Sequence, residues 1–349
     1  MLVRFVNTSI LVLILVSLFT GVYVIFYNAH LWLMEIHRIS SWGLIALIPW
    51  KAVIVLASLR RGWDWSRFDR GAGMVFSLVL AWLAVTATGL ALMWTWRLGP
   101  FTLALYQTVI AWHWILALIL LIPLTIHVVR RWPKPKAEDF TSRRGLLRSG
   151  LVLLAGVLGW GTAETIARAR ATEEEPRRQT GSRGMGLYTG NDFPITGEWI
   201  DPVDVSTWRL RITGAVENPI TMTYDQVLAR QVDTWDATLD CTLGWYSTQF
   251  WHGVPLRDLL EEAGVDPGAV GGTLKAVSGY TMPYPMHETE HILLCTHVGD
   301  EVLDHRHGYP LRAVSPNRRG WFWVKWLTEV RVHRVLPDFS ALIDRVENA

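Results

Sequence analysis

Almost no charge falls within residues 9–29, 42–59, 72–96 and 103–129, and these four runs constrain the fold more than any motif in the 349-residue chain. Each is long enough to cross about 30 Å of hydrocarbon at about 1.5 Å per residue. Buried core helices can also be this apolar, but four such runs in succession, rich in Leu, Val and Trp, predict transmembrane helices. The first run is not expected to be a cleaved signal peptide, because three further spans come after it and no small-residue cleavage pattern is present.

Basic residues set the expected orientation. Arg60, Arg61, Arg67 and Arg70 lie between the second and third runs, and Arg130, Arg131, Lys134, Lys136, Arg143, Arg144 and Arg148 come after the fourth, whereas the other two loops carry only Arg38 and Arg97. The positive-inside bias therefore places the N-terminus and both basic segments in the cytoplasm. A fifth apolar stretch, Leu146 to Thr162, starts from the inner side and delivers the remainder of the chain to the outside of an inner membrane, the periplasmic face. Its entry, Ser142-Arg143-Arg144-Gly145-Leu146-Leu147-Arg148, resembles a twin-arginine export signal, with Leu and Arg at the usual Phe and Lys positions. Adjacent arginines also serve as plain topology anchors, so both readings stand. Twin-arginine export carries proteins that are already folded, commonly with a cofactor inside.

The texture changes after this point. Residues 136–166 hold the arginine pair and the fifth span, and 167–190 read as a hydrophilic linker around Glu173-Glu174-Glu175-Pro176-Arg177-Arg178. Residues 191–349 show short apolar runs broken by Gly, Pro and Asn. Trp208–Val216 and Thr273–Val277 alternate as strands do, and Asp225–Arg230 and Leu256–Ala263 read as short helices. The expected class is a membrane all-α bundle, four spans plus an anchoring fifth, followed by an α+β domain large enough for its own core. Cys241 and Cys295 allow at most one disulfide, which a domain of this size does not need. No nucleic-acid partner is expected from a net charge of only +2.

Within the second half, Asp240-Cys241-Thr242-Leu243-Gly244-Trp245 and Trp251-His252-Gly253-Val254-Pro255-Leu256 resemble the cofactor-binding core of the sulfite oxidase family, which includes periplasmic methionine-sulfoxide reductase catalytic subunits. The resemblance extends through Val216-Glu217-Asn218-Pro219, His307-Gly308-Tyr309-Pro310-Leu311-Arg312 and Val324-Lys325-Trp326-Leu327, over roughly residues 190–335. It implies an α+β molybdopterin-binding oxidoreductase domain in which Cys241 ligates molybdenum, a soft thiolate suiting a metal with sulfur donors. It further implies that His307 and Arg312 contact the pterin and its phosphate, that Trp323, Val324 and Lys325 hold the phosphate, and that Asn191 makes an N-terminal pterin contact. The chemistry is coherent without the resemblance: a dianionic phosphate needs a guanidinium, an ammonium and aimed donors. Cys295, in Ile292-Leu293-Leu294-Cys295, reads as core.

One departure bears on substrate. Sulfite oxidases place an Asn-Arg-Arg group just after the cysteine, whereas this chain has Gly244-Trp245-Tyr246, and aromatic residues receive a small dianion poorly. Arg318 and Arg319 could supply cations from another loop. The expected chemistry is oxygen-atom transfer on an S- or N-oxide, with sulfite oxidation, or a relay or anchor module needing a separate catalytic partner, as alternatives.

Four histidines, His30, His37, His113 and His127, lie in the first 135 residues, and intramembrane ionisable groups are usually functional. Four-helix membrane cytochromes b hold haem between paired histidines, so haem b and an exchangeable quinone become candidate partners. His113 and His127 are 14 residues apart on one helical face, about 21 Å along the axis. On the second span, the residue 14 after His37 is Lys51. One haem between His37 and His113 is therefore expected, with His127 as the alternative ligand at the inner end. Depth opposes the pairing: counted from Arg60 and Arg130, the two rings differ in height by about 9 Å. Plain interfacial histidines without haem are the competing interpretation, and His30 reads as an outer-loop residue.

Overall fold

The computed structural model describes residues 2–26, 31–62, 68–100, 102–103, 107–131, 134–170, 177–184, 188–195, 199–316 and 318–335. The chain divides into two compact units, Met1–Arg183 and Gly184–Ala349.

The first unit is helical: α1 (Leu2–Phe26), α2 (Leu31–Gly62), α3 (Phe68–Thr95), α4 (Val109–Arg131), a single turn α5 (Glu138–Thr141) and α6 (Arg143–Ala169). Five of these are long and apolar enough to cross a membrane. Large apolar side chains such as Phe19, Val53, Trp82, Ile122 and Leu151 are exposed on the outside of the unit. Hydrocarbon is the only solvent in which that arrangement is favourable, and in it the helix satisfies its own backbone groups. α1 packs on α2, α3 on α4, and α2 on α6.

Small residues allow the α2–α6 approach. A methyl group at Gly156 would lie 2.7 Å from the Ile39 carbonyl oxygen, and one at Gly159 would lie 2.8 Å from the Trp42 ring. Such contacts replace the hydrophobic drive that lipid removes. At the N-terminal end of α1, Arg4 reaches Asp139 with Nε at 2.8 Å and Nη2 at 3.2 Å, and the Asp139 side chain is fully buried.

α2 and α6 extend furthest beyond the apolar runs that predicted them. α2 begins at Leu31, eleven residues before the run, because Glu35 and Arg38 pair at 2.8 Å one turn apart and so do not interrupt the helix. α6 begins at Arg143, where the Ser142 hydroxyl caps Gly145 N at 3.1 Å, and continues to Ala169. His30 lies outside the described residues, as do the side chains of Arg60, Arg61, Arg67 and Arg70.

The second unit opens near the two-residue strand β1 (Arg183–Gly184) and is built on two sheets. One contains β2 (Leu210–Gly214), β3 (Ile220–Met222), β6 (Gly271–Ala276), β7 (Thr281–Pro285) and β11 (Leu327–His333), in the order β3-β2-β11-β6-β7. The other contains β4 (Asp233–Asp240), β5 (Trp245–Pro255), β8 (Leu293–Val298), β9 (Glu301–Val302) and β10 (Arg312–Val314). There β5 pairs with β4 and β8, and β8 with β9 and β10, all antiparallel. Between them lies a core of Leu210, Ile212, Leu274, Leu294, Leu311, Leu327 and Val330. The helix α8 (Leu256–Ala263) buries Leu256, Leu259, Leu260 and Ala263, the one-face spacing of an amphipathic helix, and stops at Gly264 with φ 67°. The expected Leu256–Ala263 helix has these same ends. The other short helix, α7 (Tyr224–Leu228), and the strands β2 and β6 are shifted or trimmed by one to a few residues relative to the sequence pattern.

Candidate functional site

Cys241 sits in the tight turn between β4 and β5. Its N–H donates to Trp245 O at 2.9 Å, its carbonyl accepts from Gly244 N at 3.0 Å, and Gly244 has φ 89°, which explains the glycine there. Cys241 is in no disulfide and is 7% exposed. Two neighbours hold the turn. Gly320 packs so closely that an added methyl would meet the Cys241 Cα at 3.5 Å. Arg319 donates to Asp240 Oδ1 at 2.7 Å and to Cys241 O at 2.9 Å from a buried position, so its charge is matched by the carboxylate beside the cysteine.

Arg312 is buried without such a match. It lies on β10 opposite Cys295 on β8 and is 3% exposed. One guanidinium nitrogen donates to His307 O at 2.8 Å, while Nε is buried with no partner among the described residues. The guanidinium carbon stands 5.6 Å from the centroid of Trp251 and 5.8 Å from those of Phe193 and Trp323. Among the described residues no carboxylate pairs with it. Desolvation pushes its pKa down to about 10, opposed by the nearby Cys295 and Cys241 thiols. Burial raises the Cys295 thiol, in keeping with a core role. A second buried donor without a partner, Trp245 Nε1, lies in the residue that closes the Cys241 turn.

The other expected pterin residues surround this centre in different states. His307 is buried, with Nδ1 2.9 Å from Asp304 Oδ1, Nε2 2.9 Å from Phe193 O, and its ring 3.9 Å from that of Phe193. Burial lowers its pKa while the Phe193 carbonyl and Asp304 act against that shift. Both ring nitrogens are thus engaged by protein. Asn191 is engaged too: its amide donates to Glu301 Oε2 and Val302 O and accepts from Asp304 N, each at 2.9 Å. It ties its own turn to the segment that carries His307. Lys325 donates to Arg306 O at 2.8 Å. Trp323 is buried and donates to Ser315 O at 2.8 Å, and Val324 is buried next to it. The sequence reading missed Asp240 as the partner of Arg319, and Phe193 and Trp251 as the walls of Arg312. Phe193 was visible only as the aromatic residue two after Asn191. Arg318, the other arginine weighed for sulfite, pairs with Glu288 through Nε at 2.9 Å.

The helical unit brings His37 and His113 together. Their ring centroids are 6.3 Å apart with planes at 87°. His37 Nδ1 is 2.8 Å from Ser17 O and 3.2 Å from Thr20 Oγ1, and His113 Nδ1 is 2.8 Å from Ala87 O. A carbonyl accepts only, so each ring carries its proton on Nδ1 and keeps its lone pair on Nε2, the tautomer of a metal-ligating imidazole. A height difference of about 9 Å, read from sequence, is excluded by ring centroids only 6.3 Å apart, so Arg60 and Arg130 do not mark one depth. Lys51 donates to Asn7 Oδ1 at 2.8 Å, whereas His127 is not among the groups meeting His37 and His113.

A concavity of about 600 Å³ lies along β2, lined by Asp201, Trp208, Arg209, Arg211 and Thr328 among others. Cys241 does not line it. The thiol is singled out by its chemistry and its buried cation, not by the size of a cleft.

The family model described as an oxidoreductase molybdopterin binding domain matches residues 197–337. The chain is 31% identical over 144 residues to the uncharacterized oxidoreductase YuiH of Bacillus subtilis, which covers 40% of this chain and 73% of that protein. It is 26% identical over 257 residues to the protein-methionine-sulfoxide reductase catalytic subunit MsrP of Gluconobacter oxydans, covering 60% of this chain and 79% of that protein. Over 187 residues it is 29% identical to the NADH nitrate reductase of Spinacia oleracea, covering 43% of this chain but 20% of that longer protein.

Proposed function

This chain belongs to the family of oxidoreductases with a molybdopterin-binding domain, and from that premise we propose that it transfers oxygen atoms to or from an S- or N-oxide outside the inner membrane. The observation that carries the reading is Arg312. A buried guanidinium with no carboxylate and an unpartnered Nε is costly alone and becomes favourable when an anion completes it. A pterin phosphate is such an anion, and the adjacent Cys241 is a donor of the kind molybdenum takes. The residues therefore fit the group: Cys241 would bind the metal, Arg312 and Trp245 would receive polar atoms of the pterin, and Lys325 would add charge at the periphery. Molybdenum so held supplies two-electron exchange coupled to movement of an oxygen atom. The protein holds the thiol in place through Arg319, keeps the site dry with Phe193, Trp251 and Trp323, and fixes the His307 segment through Asn191.

Reduction of an S- or N-oxide is favoured over sulfite oxidation on two grounds. The relative MsrP is by name a methionine-sulfoxide reductase. Arg318 and Arg319, the cations weighed for sulfite, already face Glu288 and Asp240. A neutral S–O dipole needs hydrogen-bond donors and an apolar wall, not a dianion receptor.

Electrons reach the site, in this reading, through a haem b between His37 and His113 that exchanges with quinone. The two rings stand 6.3 Å apart, each with Nδ1 against a backbone carbonyl, so His37 and His113 would hold the iron through Nε2, and the haem would supply one-electron transfer. Arg143 and Arg144 are both exposed at the start of α6, as recognition by a twin-arginine exporter requires, and that supports an outer location for the second unit. The test uses the purified full chain, reduced with dithionite and mixed with methionine sulfoxide, trimethylamine N-oxide or sulfite. An oxide should reoxidise the metal, and sulfite should leave the oxidised enzyme unchanged. Reduction by sulfite with no response to either oxide would overturn the proposal, and a loaded metal centre inert to all three would favour a relay that needs a separate catalytic subunit.

A further inference from the structure

His252 on β5 and His297 on β8 are directly opposed across an antiparallel pair. Opposed residues of such a pair project from one face with Cβ atoms about 4.5–5.5 Å apart. The β5–β8 register shifts just beyond His252, so Thr296 is the extra residue of a β-bulge. A bulge turns consecutive side chains toward a common side. This explains how the Thr296 hydroxyl lies 2.8 Å from Nδ1 of its own neighbour, His297. Thr296 also bonds Gln231 Oε1 at 2.5 Å, and since an amide oxygen only accepts, the hydroxyl proton goes there. The hydroxyl must then accept from His297, which fixes the proton on Nδ1 and leaves the Nε2 lone pair exposed. Across the pair, His252 Nδ1 lies 2.8 Å from Thr234 Oγ1. Among the described residues neither Nε2 has a protein partner, and both side chains are half-buried at the surface.

We propose that His252 and His297 form a two-imidazole site for a divalent first-row transition ion, Cu²⁺ in preference to Zn²⁺ or Ni²⁺, with Thr296 as a positioning residue. Imidazole suits these ions, and the preference follows their general order of affinity. Bonds of about 2.0–2.1 Å from two nitrogens suit the spacing of an opposed pair. Among the described residues no group of three or more His, Cys, Asp or Glu side chains could hold a metal, so water completes this shell. Burial, with His252 as a second cause, keeps His297 below its ordinary pKa and hence neutral at pH 7. The site is separate from Cys241 and from the His37–His113 pair, and it does not depend on the proposed reaction.

Full-length protein in detergent, with molybdenum oxidised and therefore silent, is titrated with Cu²⁺ and followed by electron paramagnetic resonance as the difference from the copper-free spectrum, which removes any ferric haem signal. One equivalent should bind with hyperfine structure from two imidazole nitrogens. His252→Gln and His297→Gln should each reduce this to one nitrogen. Thr296→Val should retain two nitrogens but weaken binding about 10–100-fold, as loss of a ligand's orienting partner does. His291→Gln, on the neighbouring 3₁₀ turn, should bind as the parent does. A two-nitrogen signal that survives both the His252 and the His297 substitutions, or the absence of saturable binding in the parent, would overturn the proposal.

Discussion

The two units prepare their buried polar groups in opposite ways. In the helical unit His37 and His113 are each held by a backbone carbonyl, and Arg4, Glu35 and Arg38 lie toward helix ends with partners of opposite charge. Lys51 is the exception, resting on the neutral Asn7. In the α+β unit Arg319 is matched by Asp240, yet Arg312, equally buried, is left without a counter-ion. The difference teaches how to read a buried charge: one matched by protein holds the fold together, while one left unmatched marks where an outside anion belongs. Hydrocarbon allows the second arrangement far less readily than a sheet domain with access to water and cofactor.

Removing the donors tests the contrast most severely. Cys241→Ser should abolish turnover and delete one sulfur from the metal's X-ray absorption shell while the chain still folds, because oxygen replaces a soft thiolate poorly. In the helical unit, His37→Ala or His113→Ala should each eliminate a reducible b-type absorption spectrum, and His127→Ala should leave it in place. The reverse pattern would move the haem to the inner end and undo the comparison.

The matched and unmatched arginines should then part in sign. Arg319→Met strands a buried Asp240 and should cost about 3–5 kcal/mol of unfolding free energy in the cofactor-free protein, read by denaturant titration. Arg312→Met should not destabilise that form, since an uncompensated charge is removed, but should weaken pterin retention by about 1.5–3 kcal/mol, the range for a hydrogen bond to a charged group. Equal destabilisation by both would show that Arg312 is structural. The smallest change is Arg143→Lys with Arg144→Lys, which keeps the charge. Export of the second unit should fail if the pair is a twin-arginine signal and continue unchanged if it is a topology anchor.

Much of this was legible in the chain because lipid and helix periodicity leave strong patterns. The spans and the Leu256–Ala263 helix follow from local residues, whereas the turn between β4 and β5 that holds Cys241 was not read from the sequence. The approach of His37 to His113 was half legible: the residues stand out, but their relative depth was counted from Arg60 and Arg130, and a residue count assumes that both arginines sit at one level. The closure of His307 Nε2 by Phe193, the Arg319–Asp240 pair and the opposition of His252 and His297 were not legible. Each joins residues far apart in sequence, and the last depends on a one-residue register shift that no local pattern records.

The tight seat of α6 on α2 also dictates an order of assembly. Gly156 and Gly159 meet Ile39 and Trp42, which are synthesised more than a hundred residues earlier. From the time α2 enters the bilayer until α6 arrives, the strip around those two residues faces lipid tails. If α6 is held back while the following unit folds around its cofactor, the first four helices must stand by themselves for that interval with this strip open. The last helix then closes that strip by seating Gly156 and Gly159 on Ile39 and Trp42.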